Sequence, residues 1–238
     1  MKSVTRGACA KSLLSNPNMA CIIPALLVHS EEEYTTCLRA IQHHVDRIHI
    51  DIADGTLVPN ATWAEPDRIG KKMHIAIDLH LMVNDPLSVV TRWKEIDAVD
   101  RFIVHAEIPG NVQQVLTDLA SFGKHLVLAL NPDTLLETVT PSFPLVSGVL
   151  FMGVHPGFQG QEFISSVVDK IAAFKAMGTH HTILVDGHVD ETTMPKLLAA
   201  GATEFCIGSA IFHRDTSPEE RLKTLTTQLN RLTTPPSA

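Results

Sequence analysis

The chain is poor in aromatic residues: Phe, Trp and Tyr make up 5% of its 238 positions, with a single tyrosine. Aliphatic side chains must therefore pack its core. It has no run of Lys and Arg, and 19 basic against 26 acidic residues leave a net charge of -7. That balance argues against a general nucleic-acid partner, which would need a basic face. An anionic ligand would have to be held by local groups. No apolar run approaches the ~18 residues of a membrane span, so no membrane partner is expected. Cys-x-x-C is missing too, since Cys9, Cys21, Cys37 and Cys206 are scattered. Such spacing suits reduced thiols in a cytoplasmic protein, not a disulfide framework or a structural zinc site.

What remains is 45% hydrophobic and 19% charged, enough for one domain with a sizeable core. Residues 1–20 contain Lys2 and Arg6 but no long apolar stretch, and read as a poorly structured extension, not a secretory signal. Residues 21–232 read as the single domain, and 233–238, Thr-Thr-Pro-Pro-Ser-Ala, as a flexible tail. Within the domain, apolar strands are expected at 21–28, 47–52, 75–80, 101–106, 126–130, 148–154, 182–186 and 204–207. Helices are expected between and after them, at 31–44, 65–73, 86–94, 111–121, 133–138, 162–177, 191–200 and 218–232. Ser30 with Glu33 forms a capping-box pattern, and Val112, Val115, Leu116 and Leu119 share a helical face. Strands that alternate with helices are parallel and buried on both faces. Eight of them point to an α/β fold, the (β/α)8 TIM barrel. An open doubly wound sheet is the alternative, but no Gly-rich dinucleotide fingerprint follows the first strand.

The chemistry gathers where strands end. In His49-Ile50-Asp51-Ile52, strand alternation puts His49 and Asp51 on one face and the isoleucines on the other. The pair alone reads equally well as a satisfied buried hydrogen bond. The pattern recurs, however, at His80 in Asp78-Leu79-His80-Leu81-Met82 and at Asp186 in Leu184-Val185-Asp186-Gly187. Barrel active sites lie at the C-terminal ends of strands, where all four residues fall. Two imidazoles and two carboxylates suit one divalent cation such as Zn, Fe, Mn or Co. Glycine-bearing turns follow the last three strands: Gly157-Phe158-Gln159-Gly160, Gly187-His188 and Gly208-Ser209. Glycines admit close backbone approach to an anion, and the loops after strands seven and eight are the usual phosphate site of such barrels.

These strings, together with Ala53-Asp54-Gly55-Thr56-Leu57-Val58-Pro59-Asn60, Asn131-Pro132 and Gly208-Ser209-Ala210-Ile211-Phe212, resemble the ribulose-phosphate 3-epimerase family from about Ile22 to the last helix. The resemblance implies a ribulose-phosphate-binding barrel that interconverts D-ribulose 5-phosphate and D-xylulose 5-phosphate, a pentose phosphate pathway step. It implies His49, Asp51, His80 and Asp186 as ligands of one divalent metal, with Asp51 and Asp186 also as the acid/base pair. His80, Gly157, Phe158, Gln159, Gly160, Gly187, His188, Gly208 and Ser209 would hold the sugar phosphate. Met82 and Met152 would cap the reacting carbon with an apolar surface. Barrels of this kind are often homo-oligomers.

The chain departs from the family pattern at three positions. Ala25 stands where the family's first strand carries Ser, Ala53 where it carries Met, and His188 where it carries a second Gly. Ala25 and Ala53 remove bulk, which keeps open a 3-epimerase of a ketohexose 6-phosphate such as D-allulose 6-phosphate. A sugar-phosphate-binding paralogue without turnover is a further alternative. A phosphosugar decarboxylase on a similar barrel would carry Asp-x-Lys, and no lysine follows Asp51 or Asp54.

Overall fold

The computed structural model describes residues 20–69, 74–157, 160–213 and 215–234. The expected extension, apart from Ala20, and the tail beyond Thr234 lie outside the described residues, as do Phe158 and Gln159.

Eight parallel strands close into a barrel in sequential order. They are β1 (Cys21–Leu26), β2 (Arg47–Ala53), β3 (Ala76–Met82), β4 (Val99–His105), β5 (His125–Leu130), β6 (Gly148–Met152), β7 (Thr182–Asp186) and β8 (Glu204–Ile207). Closure comes from β1 pairing with β8, Cys21 opposite Glu204. The helices are α1 (Glu31–Ile41), α2 (Pro66–Ile69), α3 (Pro86–Trp93), α4 (Val112–Ala120), α5 (Leu136–Val139), α6 (Ser166–Ala176), α7 (Met194–Ala200), α8 (Ser209–Phe212) and α9 (Pro218–Thr233). This is the expected TIM barrel.

Local chemistry explains the helix starts. Ser30 accepts from the Glu33 amide, Asp85 from Ser88 and Asn111 from Gln114, each satisfying an amide of a first turn. The Glu33 carboxylate returns to the His29 amide at 2.6 Å, one residue before the cap. Several boundaries differ from the sequence reading. The sixth helix begins at Ser166, not 162, and the seventh at Met194, not 191. The last helix runs to Thr233, one residue past the expected 232. A 3-10 helix at Thr140–Leu145 and the short α8 were not expected at all.

Alternation along the strands builds two cores. Ile48, Ile50 and Ile52 of β2 face outward into the layer between barrel and helices, with Phe102, Phe151, Phe174 and Trp93. Ile23, Ile103, Val127, Leu150 and Leu184 fill the barrel interior. Each buried side chain of this size contributes about 1.5–3 kcal/mol. Beneath them, at the N-terminal ends of the strands, the interior is ionic. Asp78 accepts from both Arg47 and Arg101, and Arg101 also reaches Glu204 at 2.6 Å. Cys37 and Cys206 are free thiols.

Candidate active site

At the C-terminal ends of the strands, β2, β3 and β7 bring His49, Asp51, His80 and Asp186 together. The register sets His49 opposite Asp78 and Asp51 opposite His80 on neighbouring strands. Residues of one parity on β2 therefore share the interior with residues of the matching parity on β3. One donor atom from each of the four residues lies within 4.8 Å of the others. Asp51 Oδ1 is 3.2 Å from His49 Nε2 and 2.8 Å from His80 Nδ1. Asp186 Oδ2 is 3.8 Å from the first nitrogen and 3.6 Å from the second. Both histidines are fully buried. A buried set of two nitrogen and two oxygen donors, converging on one point, matches what a divalent transition metal takes.

The two carboxyls sit in different fields. Burial works against ionisation of Asp51, yet its hydrogen bonds to His49 and His80 hold its pKa well below the usual range. Asp186 is pushed the other way, by burial and by the negative charge of Asp51. Burial disfavours the His49 imidazolium, but Cys206 and Asp51 beside it raise its pKa well above the ordinary value. Burial pushes the Cys206 thiol up to about 11.

A cleft opens above this cluster. Asp51 and Asp186 are the acids in its described lining. Met82 and Met152, the expected apolar cap, line it as well. So do Gly157, Gly160, Gly187, His188, Gly208 and Ser209, gathered from three different loops. Gly187 has φ +97, and its carbonyl oxygen would lie 2.1 Å from a Cβ at Gly153, so the β6 and β7 turns are in backbone contact. His188 holds φ 53, rare for a residue with a side chain. Its ring is tied back, with Nδ1 donating to the Gln161 carbonyl and Nε2 3.8 Å from Asp190. Ala25 lines this cleft and also a neighbouring cavity bounded by Val28, His29, Cys37 and Asn60.

Three residues beside the cluster escaped the sequence reading. Cys206 Sγ lies 3.4 Å from His49 Nδ1. His105 Nε2 lies 2.9 Å from His80 Nε2, and Glu107 meets the far side of His105 at 3.0 Å. The signal was present: His105-Ala106-Glu107 at the end of β4 repeats the His-x-acid spacing of His49-Ile50-Asp51. Burial lowers the pKa of His105. Burial opposes ionisation of Glu107, but hydrogen bonds from His105 and Thr134 bring its pKa below the ordinary value.

Barrel and cluster together define a TIM-barrel enzyme whose strand ends carry a mixed His/carboxylate donor set. Comparison with known proteins narrows this. Residues 20–212 match the model of the ribulose-phosphate 3-epimerase family. A ribulose-phosphate 3-epimerase of Chlamydia trachomatis is 33% identical over 178 residues, covering 71% of this chain and 76% of that one. One from Methanocaldococcus jannaschii is 32% identical over 202 residues, covering 82% and 84%. The chain belongs to the ribulose-phosphate 3-epimerase family and is an isomerase of the epimerase class. Among solved structures, 3-hexulose-6-phosphate synthase from Salmonella typhimurium superposes with a TM-score of 0.66 at 16% identity, covering 90% of this chain and 100% of that one. Orotidine 5'-monophosphate decarboxylase from Sulfolobus solfataricus gives 0.63 at 15%, covering 90% and 100%. At such identities the likeness is one of fold. Among the described residues, no helix is long and apolar enough to cross a membrane.

Proposed function

We propose that the protein inverts carbon 3 of D-ribulose 5-phosphate to give D-xylulose 5-phosphate, using Asp51 and Asp186 as the acid/base pair. The observation that carries this is the pairing of those carboxyls: they are the acids in the described lining of the cleft, in a member of an epimerase family. Inverting a carbon beside a ketone requires one group to take its proton from one face and another to return a proton on the opposite face. The environments of the two acids push their ionisation apart. This supports Asp51 as base and Asp186 as acid in one direction, with the roles exchanged in the other. His49, Asp51, His80 and Asp186 would hold one divalent cation, drawn from Zn, Fe, Mn or Co. When bound, such a cation supplies Lewis-acid stabilisation of negative charge on the substrate oxygens. Met82 and Met152 keep water from the reacting carbon. Gly160, Gly187, His188, Gly208 and Ser209 hold the phosphate end, and assembly as a homo-oligomer in the cytoplasm belongs to the same reading.

A ketohexose 6-phosphate is the second reading. It is favoured by Ala25, whose small side chain leaves the cleft wall shared with the neighbouring cavity. Steady-state kinetics on D-ribulose 5-phosphate and D-allulose 6-phosphate decide between them. A higher kcat/KM on the pentulose is expected, and a clear preference for the hexulose would overturn it. Stripping the protein with a chelator should abolish turnover, and one divalent cation per chain should restore it. Full activity in metal-free protein would contradict the role given to the four donors.

A further inference from the structure

We propose that Glu107 and His105 form a positioning relay that fixes the tautomer and orientation of His80 for metal binding. This rests on the reading above, in which Nδ1 of His80 is a metal donor. That nitrogen lies 2.8 Å from Asp51 Oδ1, among the four converging donor atoms. The other ring nitrogen of His80, Nε2, stands 2.9 Å from Nε2 of His105. At that distance one of the two carries a proton and the other offers its lone pair. His105 Nδ1 is in turn 3.0 Å from Glu107 Oε2. The remaining carboxylate oxygen of Glu107 accepts from the Asn131 amide at 2.9 Å and from the Thr134 hydroxyl. Lys170 of α6 anchors that segment by donating to the carbonyls of Asn131, Pro132 and Thr134.

The chain of contacts has one polarity. An amide and a hydroxyl point at Glu107 from one side, where a carboxylate can only accept. Its other oxygen takes Nδ1–H of His105, which leaves Nε2 of His105 as an acceptor. His105 Nε2 then takes Nε2–H of His80, and Nδ1 of His80 is free of its proton whenever a metal is bound. A ligating histidine needs that form, and a carboxylate behind it is the usual means of holding it. Here a second imidazole carries the effect across one more ring. His105 is fully buried and neither it nor Glu107 lines the cleft, so both act through His80 and not on substrate. His49 is supported differently: among the described residues its outer nitrogen meets the Cys206 sulfur, a weak acceptor.

Glutamine separates polarity from packing. In Glu107→Gln the amide oxygen stays with Asn131 and Thr134, so its NH2 faces His105 Nδ1. His105 must then carry its proton on Nε2, opposite the one on His80. His105→Gln preserves the direction, because its oxygen accepts from His80 and its NH2 donates to Glu107. His105→Leu removes the link altogether.

The test is the zinc affinity of the full-length protein, by competition with a chromogenic chelator, for wild type, E107Q, H105L and H105Q. The tautomer of His105 is read in parallel from imidazole nitrogen NMR shifts. Losing an outer partner of a ligand costs about 10- to 100-fold in affinity, and the relay predicts that loss in E107Q and H105L, with H105Q close to wild type. It also predicts a proton on Nδ1 of His105 in the wild type and on Nε2 in E107Q. Unchanged affinity and tautomer in E107Q, or equal weakening in H105Q and H105L, overturns the relay. If H105L fails to fold, E107Q alone decides. Wild-type protein that binds no zinc would sink the metal reading of the proposed function, and the His105 tautomer in metal-free E107Q would still decide the relay.

Discussion

Asp51 and Asp186 share one cluster, yet two imidazoles lie within hydrogen-bonding range of Asp51 and only at longer distance from Asp186. Replacing either by Asn keeps the shape and removes the proton-transfer group. Each of Asp51→Asn and Asp186→Asn should lower kcat by about 10²- to 10⁴-fold, the usual worth of a positioned acid or base. Near-wild-type turnover in either variant, with its melting temperature unchanged, would remove that residue from the pair. All four donor residues were legible in the sequence, because each sets a His or Asp into an otherwise apolar strand. Cys206 was not, and Glu107 showed only in the His-x-acid spacing of His105-Ala106-Glu107. An acid just past a strand end and a thiol within a strand look like ordinary loop and core residues until the barrel closes. His188 was legible as a departure, but not the tying of its ring to Gln161.

At the scale of elements, the eight strands were readable and their ends less so. Apolar runs announce parallel strands, whereas helix starts depend on caps that compete over several residues. The short α8 offered too few residues for any period to show. The 3-10 helix at Thr140–Leu145 carries Pro141 and Pro144, which argue against a helix in the sequence. Gly153 joins two elements: a Cβ there would meet the Gly187 carbonyl at 2.1 Å and the Phe163 ring at 3.0 Å. Backbone cannot yield as a flexible side chain can. Gly153→Ala should therefore cost about 1–3 kcal/mol, the usual range for overpacking, and displace the β6 and β7 turns that line the cleft. Denaturant unfolding, with KM for the sugar phosphate, checks both. A variant as stable as the wild type, with unchanged KM, would contradict the contact.

The whole barrel is polar at both ends of its interior and apolar between. The sequence reading left the ionic end unassigned, since Asp78 shares a face of β3 with His80, as Arg47 shares one of β2 with His49. Only position along the closed barrel separates the ionic plug from the site. Burial opposes the Asp78 charge, but Arg101 and Arg47 hold its pKa below the ordinary 3.8. Its stabilising contribution is thus complete above that ordinary value and is lost as pH falls through the lowered folded one. Acid unfolding should steepen below about pH 4. Asp78→Asn leaves two buried guanidiniums short of a partner and should cost about 3–5 kcal/mol, with less acid dependence in what stability remains. Denaturant titrations across pH test this, and a variant with wild-type stability would refute the plug.

The central claim is a two-carboxylate inversion at carbon 3, and proton NMR of D-ribulose 5-phosphate with the enzyme in deuterated water tests it most directly. The account predicts D-xylulose 5-phosphate carrying deuterium at carbon 3, formed only when divalent metal is present. Epimerised product that keeps its original hydrogen, or no exchange at carbon 3 by metal-loaded folded protein, would contradict it.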